Sequence, residues 1–311
     1  MNFEDFNKEW NNSEDFITVK TSGSTGIPKT VCLPKSFVKQ SALRTIGFFG
    51  LTSKSRFHSC VGADFIGGKM MAVRAWLLNA EFSWETPSNR PLKEIPKTER
   101  IDLLAIVPSQ MLDILENIEK LPHISNIIIG GAPIPPHLKA RIADSGLNVY
   151  ETYGMTETSS HIALRKITGE ESPFKTLLGI RVSKDQRECL VVEFNDGHTV
   201  ITNDVAELFS DKEFVIKGRC DNIIISGGKK INPFEIESKI SRFISQDFFI
   251  GGVEDEKWGQ KVVLFIEGNL SDEEIDKLKA DISEVLERWQ KPKEIRCVTK
   301  LPRTPNGKIK R

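Results

Sequence analysis

The sequence predicts an α/β protein: a large N-terminal domain with a parallel sheet, crossover helices and β-hairpins, then a small α+β C-terminal domain. Three observations lead there. From about residue 100 short apolar runs alternate with helical patterns, the rhythm of a parallel sheet with crossover helices. After residue 175 the texture changes to paired runs around a tight turn. From Gly218 onward a compact mixture of short strands and helices follows.

The elements can be justified in order. Leu103–Val107 reads as a strand and Gln110–Ile118 as a helix. Ile127–Ile129 is a short apolar strand, followed by the loop Gly130-Gly131-Ala132-Pro133. His137–Ala143 has a helical pattern, and Leu147–Glu151 returns to strand. Cys189–Phe194 and Thr199–Thr202 flank Asn195-Asp196-Gly197, and Asp-Gly suits a primed hairpin turn. Ile223–Ile225, the pair Gly227-Gly228 and a helix over Pro233–Ile240 open the C-terminal part. Strand Val262–Glu267 follows, then a helix started by Ser271 with Glu274 three residues on, a capping box. These patterns set a domain boundary near Arg219–Asn222, giving domains 1–218 and 219–311.

Bulk properties exclude several classes. The 311 residues are 39% hydrophobic, enough for a core, and 43 basic residues balance 43 acidic ones. Zero net charge gives no argument for nucleic acid or an acidic membrane as partner. No run approaches the roughly 20 apolar residues of a membrane span. The opening MNFEDFNKEW is acidic and lacks a signal-peptide core. Five scattered cysteines without a CxxC pair read as reduced thiols of a cytoplasmic protein.

Four segments carry chemistry. Thr21-Ser22-Gly23-Ser24-Thr25-Gly26-Ile27-Pro28-Lys29 holds two glycines, four hydroxyls and a lysine in nine residues. Glycines let backbone N–H groups approach an anion, hydroxyls donate to phosphate oxygens and lysine adds charge. The Gly-Lys-Ser/Thr ending of a Walker loop is absent, and the composition also suits a flexible Ser/Gly turn. Tyr153-Gly154-Met155-Thr156-Glu157 follows a strand, where a carboxylate and a hydroxyl suit Mg²⁺ and phosphate. An exposed Thr-Glu opening a helix would look the same. Asp204 and Arg219 are an acid for ribose hydroxyls and a guanidinium for hydroxyls or phosphate, or else a surface ion pair. Finally, residues 288–311 hold nine Lys/Arg and one Glu, and an Asn306-Gly307 turn presents Lys308. That run is a solvated basic tail or a lysine delivered to developing phosphate charge.

In this order the four segments resemble the adenylate-forming superfamily of acyl-CoA synthetases, luciferases and peptide-synthetase adenylation domains. The resemblance runs from about Thr21 to Lys308 and implies ATP, Mg²⁺ and coenzyme A as reactants and cofactor. It implies phosphate contacts for Thr21, Ser22, Gly23, Ser24, Thr25, Gly26 and Lys29, with Tyr153 also on the nucleotide side. Thr156 would bind the α-phosphate and Glu157 the metal. Gly131, Ala132 and Pro133 would pack on adenine, and Asp204 and Arg219 would hold the ribose. Lys308 would bridge carboxylate and α-phosphate during adenylation. The segment 219–311 would be a mobile lid pivoting at Asp221, with Gly227 and Gly228 lining the pantetheine path. Asn203 replaces the glycine of the family's T-G-D pattern. Only 20 residues precede the phosphate loop, so most of the usual N-terminal subdomain is missing, and a second copy could cover the exposed flank.

Gly68-Lys69-Met70-Met71-Ala72-Val73-Arg74 resembles the substrate-side segment of the o-succinylbenzoate–CoA ligase branch, which serves menaquinone biosynthesis. This implies that Arg74 holds a second, non-reacting carboxylate; the alternative is a surface helix residue. Ser159, Ser160 and His161 are further candidates to line the acyl site. The alternatives are another acyl- or aryl-CoA ligase, an adenylation enzyme loading a carrier protein, or a degenerate binder without catalysis.

Overall fold

The computed structural model describes residues 1–20, 29–303 and 309–311. The phosphate-loop candidates Thr21 to Gly26, and Lys308, lie outside them. The chain forms two compact units. One gathers the described residues of 1–181 with 194–200, the other 182–193, 201–303 and 309–311.

The first unit starts with helix α1 (Phe3–Asn11), the antiparallel pair β1 (Phe16–Lys20) and β2 (Thr30–Pro34), and helix α2 (Lys35–Phe49). Then come β3 (Arg56–Ser59), α3 (Ile66–Leu78), β4 (Glu81–Trp84), β5 (Arg100–Ile101), β6 (Leu103–Ile106), α4 (Pro108–Glu116), β7 (His123–Ile124), β8 (Ile127–Ile129) and α5 (Pro136–Asp144). Last are β9 (Val149–Met155), β10 (Ser160–Lys166) and β11 (Phe174–Thr176). The main sheet of this unit has the order β11-β10-β9-β8-β6-β3-β4. From β9 to β4 neighbours are parallel, while β10 and β11 add antiparallel strands. The short β5 and β7 pair separately.

Both faces of the parallel sheet are covered, which is why its strands read as continuous apolar runs. In the run Ile127–Ile129 the side chains alternate. Ile127 and Ile129 join Met111 and Ile114 of α4 and Leu138 and Ile142 of α5. Ile128 points the other way, to Ile46 of α2 and Met71 and Ala75 of α3.

One strand departs from expectation. β9 begins at Val149 and continues to Met155, so Tyr153-Gly154-Met155 lies within the strand rather than after it. The antiparallel ladder with β10 extends it, with Met155 opposite Ser160 and Gly154 opposite His161. A Cβ on Gly154 would lie 2.2 Å from Ser160 O and 2.5 Å from His161 Cα, so the close approach of these strands requires glycine.

The strands β12 (Ile180–Lys184), β13 (Cys189–Phe194), β14 (Thr199–Leu208) and β15 (Glu213–Arg219), most of whose residues belong to the second unit, follow in spatial order. The hairpin turn falls at Gly197, whose φ is 86°. β14 runs well past Thr202, because residues to Leu208 pair with β15. Asp204 is therefore in mid-strand and not at a strand end.

β16 (Ile224–Ser226), β17 (Lys229–Ile231), α6 (Pro233–Ile240), β18 (Phe248–Asp255), β19 (Gly259–Glu267), α7 (Asp272–Val285) and β20 (Glu294–Val298) complete the unit. Their sheet has the order β17-β16-β19-β18, with β20 beside β19. Ile236 and Ile240 of α6, Leu278 and Ile282 of α7, and Ile250, Val262 and Leu264 of the strands form its core. Ser271 caps α7 reciprocally with Glu274 as the sequence suggests. Among the described residues no helix is long and apolar enough to cross a membrane.

Candidate functional site

In the first unit the loop at Gly131–Pro133 and the turn at Thr156 leave the carboxyl ends of two adjacent parallel strands, β8 and β9. Ligands of α/β sheets gather at such strand ends. Residues Thr156–Thr158 form one 3₁₀ turn. The Thr158 hydroxyl accepts from the Met155 N–H at 2.9 Å and donates to Ser160 O at 2.7 Å. This brace leaves Glu157 exposed, and among the described residues its carboxylate makes no hydrogen bond or ion pair. An unengaged carboxylate of that kind fits a hard cation that takes oxygen ligands. Lys29, just before β2, is exposed.

The turn then passes through two strained residues. Ser159 has φ 53° and Ser160 φ 82°, both left-handed and both with a Cβ. Such backbone costs of order 1–3 kcal/mol per residue and persists only where its surroundings fix it. Here the Ser41 hydroxyl donates to Ser159 O at 2.7 Å, and the Ser159 hydroxyl lies 3.6 Å from Met70 Sδ.

The surroundings of Ser159 include an unusual charge. Helix α3 is buried along Gly68–Ala75, and Arg74 within it is 0% exposed. Its Nη1 reaches only Met71 Sδ at 3.8 Å, while Nε and Nη2 have no hydrogen-bond partner. Burial pulls the guanidinium pKa down to about 9, so it stays charged at neutral pH. His161 is buried nearby and hydrogen bonds through Nε2 to Thr45 Oγ1 at 2.9 Å. Burial, and next the Arg74 charge, hold His161 well below the usual histidine range, so it is neutral. Thus Arg74, Ser159 and His161, on α3 and around the start of β10, belong to one buried polar cluster.

Ser41 and Thr45 of α2 complete that cluster and were not singled out from the sequence. Their signal is visible: two hydroxyls four residues apart among Phe37, Val38, Ala42 and Ile46 share one face of the helix. Further along α3's buried face, Lys69 pairs with Glu9 of α1 at 2.9 Å and sits 4.0 Å above the Phe6 ring.

In the second unit Asp204 stands opposite Arg219 across β14 and β15. Arg219 Nη1 is 3.3 Å from Asp204, and the fork of Nε and Nη2 grips Asp221 at 2.9 and 2.6 Å. Arg219 thereby ties the two acids together, and its pKa is raised, chiefly through Asp221. Asp221 itself is exposed in the 3₁₀ turn Cys220–Asn222. Gly227 and Gly228, at φ 56° and 77°, make the two-residue connection between β16 and β17. Both central residues of a type I′ turn need positive φ, so hairpin geometry alone calls for glycine there.

The AMP-binding enzyme profile matches residues 5–218, more than half of the chain. The chain belongs to the AMP-binding enzyme family. The C-terminal domain profile of AMP-binding enzymes matches residues 245–308. An acyl-CoA synthetase (AMP-forming)/AMP-acid ligase II-like protein from Dyadobacter fermentans is 33% identical, with a TM-score of 0.64, and the match covers 98% of this chain and 90% of that one. The 2-succinylbenzoate–CoA ligase of Listeria monocytogenes is 27% identical over 97% of this chain, and that of Bacillus cereus 25% over 98%. This AMP-binding enzyme spans 70% of the length of each of these two ligases. The o-succinylbenzoate CoA synthetase of Bacillus subtilis, solved with its acyl-adenylate intermediate, shares the fold with a TM-score of 0.79 at 24% identity, over 94% of this chain and 67% of that one. The adenylate-forming fold expected from the motifs is therefore the one present, as a mixed sheet with crossover helices and a small C-terminal domain.

Proposed function

We propose that this AMP-binding enzyme is a carboxylate–CoA ligase whose acid is a dicarboxylate of the o-succinylbenzoate type. One observation carries the substrate: Arg74 is fully buried and, among the described residues, has no anionic partner. An isolated buried charge is costly. A ligand carboxylate gives the guanidinium fork its planar, bidentate partner. The relatives named for 2-succinylbenzoate, matched over nearly the whole chain, favour the same acid.

In the first half-reaction a carboxylate oxygen of the acid attacks the α-phosphorus of ATP and pyrophosphate leaves. In the second the thiol of coenzyme A attacks the acyl carbon, loses its proton and expels AMP. Thr156 is assigned to the α-phosphate and Glu157 to Mg²⁺, which supplies countercharge to the phosphates. Gly131–Pro133 and Tyr153 are assigned to the adenine side, Asp204 and Arg219 to the ribose, and the loop from Thr21 to Lys29 to the β- and γ-phosphates. Lys308 neutralises the charge that collects as carboxylate meets phosphate. The C-terminal segment 219–311 serves as a lid with its pivot at Asp221, and Gly227 and Gly228 flank the thiol's path. Ser159, Ser160 and His161 line the acyl group beside Arg74.

The test is pyrophosphate release, with and without coenzyme A, on o-succinylbenzoate, benzoate and medium-chain fatty acids. The proposal expects o-succinylbenzoate to turn over fastest and to give its CoA thioester. Faster turnover of a monocarboxylate refutes the substrate assignment, and absence of pyrophosphate release with every acid refutes the ligase.

A further inference from the structure

We propose that His58, Cys60 and Glu85 form a binding site for a zinc-type divalent cation, apart from the residues assigned to ATP and the acid. The site follows from strand register. β3 and β4 are parallel, with His58 beside Ser83 and Ser59 beside Trp84. His58 and Cys60 are two residues apart and so face the same side of the sheet. Glu85 follows the end of β4, where its N–H donates to Ser59 O at 3.2 Å. The imidazole, thiol and carboxylate donor atoms all lie within 4.8 Å of one another. Ligand-to-ligand edges in a tetrahedral zinc site are roughly 3.5 Å, from bond lengths of about 2.0–2.3 Å. Small side-chain adjustments close the difference.

The three donors are held from behind. His58 Nδ1 lies 2.8 Å from the Ser83 hydroxyl, which also reaches Phe57 O at 3.4 Å. With Nδ1–H donated to that hydroxyl, the Nε2 lone pair is free to face a cation, as an outer partner arranges for metal-bound histidines. Leu92 donates its N–H to Glu85 Oε2 at 3.0 Å from a left-handed backbone, φ 63°. Gln110, itself buried, donates to Cys60 O at 3.1 Å and to Ser88 O at 3.0 Å, fixing the thiol's backbone to the 85–92 segment.

What this frame holds is unsatisfied. His58 and Cys60 are each 1% exposed. His58 Nε2 and Glu85 Oε1 are buried without a hydrogen-bond partner, although Nε2 lies 3.5 Å from Glu85 Oε2. Two such orphaned atoms meeting at one place cost free energy that a cation recovers. A nucleophilic role for Cys60 fits less well: burial, and then the Glu85 charge, push its thiol well above the ordinary range, the opposite of an activated cysteine. Zinc instead binds the thiolate, so one proton leaves Cys60 for solvent as the S–Zn bond forms. Water fills the fourth place from the side of Glu85, whose side chain is 20% exposed. A sulfur, nitrogen and oxygen donor set selects zinc over the magnesium that serves phosphates. The bound ion would pin the ends of β3 and β4 to the 85–92 segment.

The experiment uses the full chain, stripped with a chelator and titrated with Co²⁺ and then Zn²⁺ in excess Mg²⁺. The expected result is one equivalent of cobalt with a thiolate-to-metal charge-transfer band, displaced by zinc, and a thermal midpoint raised by zinc. Cys60→Ser should abolish the band, and His58→Gln and Glu85→Gln should each weaken binding at least about tenfold, with pyrophosphate release in Mg²⁺ alone, without zinc or cobalt, unchanged. A band that persists in Cys60→Ser overturns the proposal. Wild-type protein that takes up no cobalt, or takes it up without the sulfur band, overturns it with no variant needed.

Discussion

Replacing Arg74 by methionine separates the cost of burying its guanidinium from its use. The side chain is 0% exposed with Nε and Nη2 unpaired. Exchanging buried charge for an apolar side chain of similar reach is often stabilising, by about 1–4 kcal/mol. A methylene-scale void offsets about 1 kcal/mol of this. The variant should therefore be as stable as the wild type or more so. Activity should move the other way. Two charge-assisted hydrogen bonds to a carboxylate contribute about 3 kcal/mol net, equivalent to a KM for o-succinylbenzoate raised on the order of 100-fold, with the KM for ATP unchanged. Urea denaturation and steady-state pyrophosphate release read the two effects on one preparation. A clearly less stable Arg74→Met would mean that the charge is compensated in the free protein. An unchanged KM would mean that Arg74 does not meet the substrate, whatever the acid.

Three further outcomes are expected. Lys308→Ala should slow adenylation at least about 100-fold while sparing thioester formation from supplied acyl-adenylate, and Asp221→Pro should do the reverse by fixing φ at the pivot; parallel losses in both half-reactions would contradict these roles. His161 has its folded pKa below the unfolded value of about 6.5, so the unfolded state binds the extra proton between them. Stability should be fully present above about pH 6.5 and fall on acidification with a slope of up to about 1.4 kcal/mol per pH unit, and a pH series of urea melts should show that component vanish in His161→Gln. Gly154→Ala sets a Cβ against backbone of β10, and a cost of about 1–3 kcal/mol is expected for such overpacking; a thermal midpoint equal to wild type would show that the strands can part.

Much of the fold was legible because it rests on local signals. Ile127–Ile129 and Pro233–Ile240 fall where the apolar runs and the helix pattern set them. The ends of β9 and β14 were not legible, since pairing with β10 and β15 carried both strands through residues that read as turn formers. For the candidate site, the Thr156–Glu157 turn was visible as a motif, but its brace by Thr158 was not. Arg74 could be picked out only by resemblance. Nothing in the apolar run of α3 says whether a lone arginine faces solvent or is enclosed; that depends on α2 and β10, distant in sequence. His58, Cys60 and Glu85 went unnoticed because two strands must come into register before the three meet.

Helix α3 places two cations in the interior five positions apart and treats them differently. Lys69 finds Glu9, supplied by α1, whereas Arg74 finds no anion of the chain's own among the described residues. Under the proposed function, one of the two charges is completed by the polypeptide and the other by the bound acid. On that reading a dicarboxylate that binds only the folded chain stabilises it by mass action, a gain that Arg74→Met should lose.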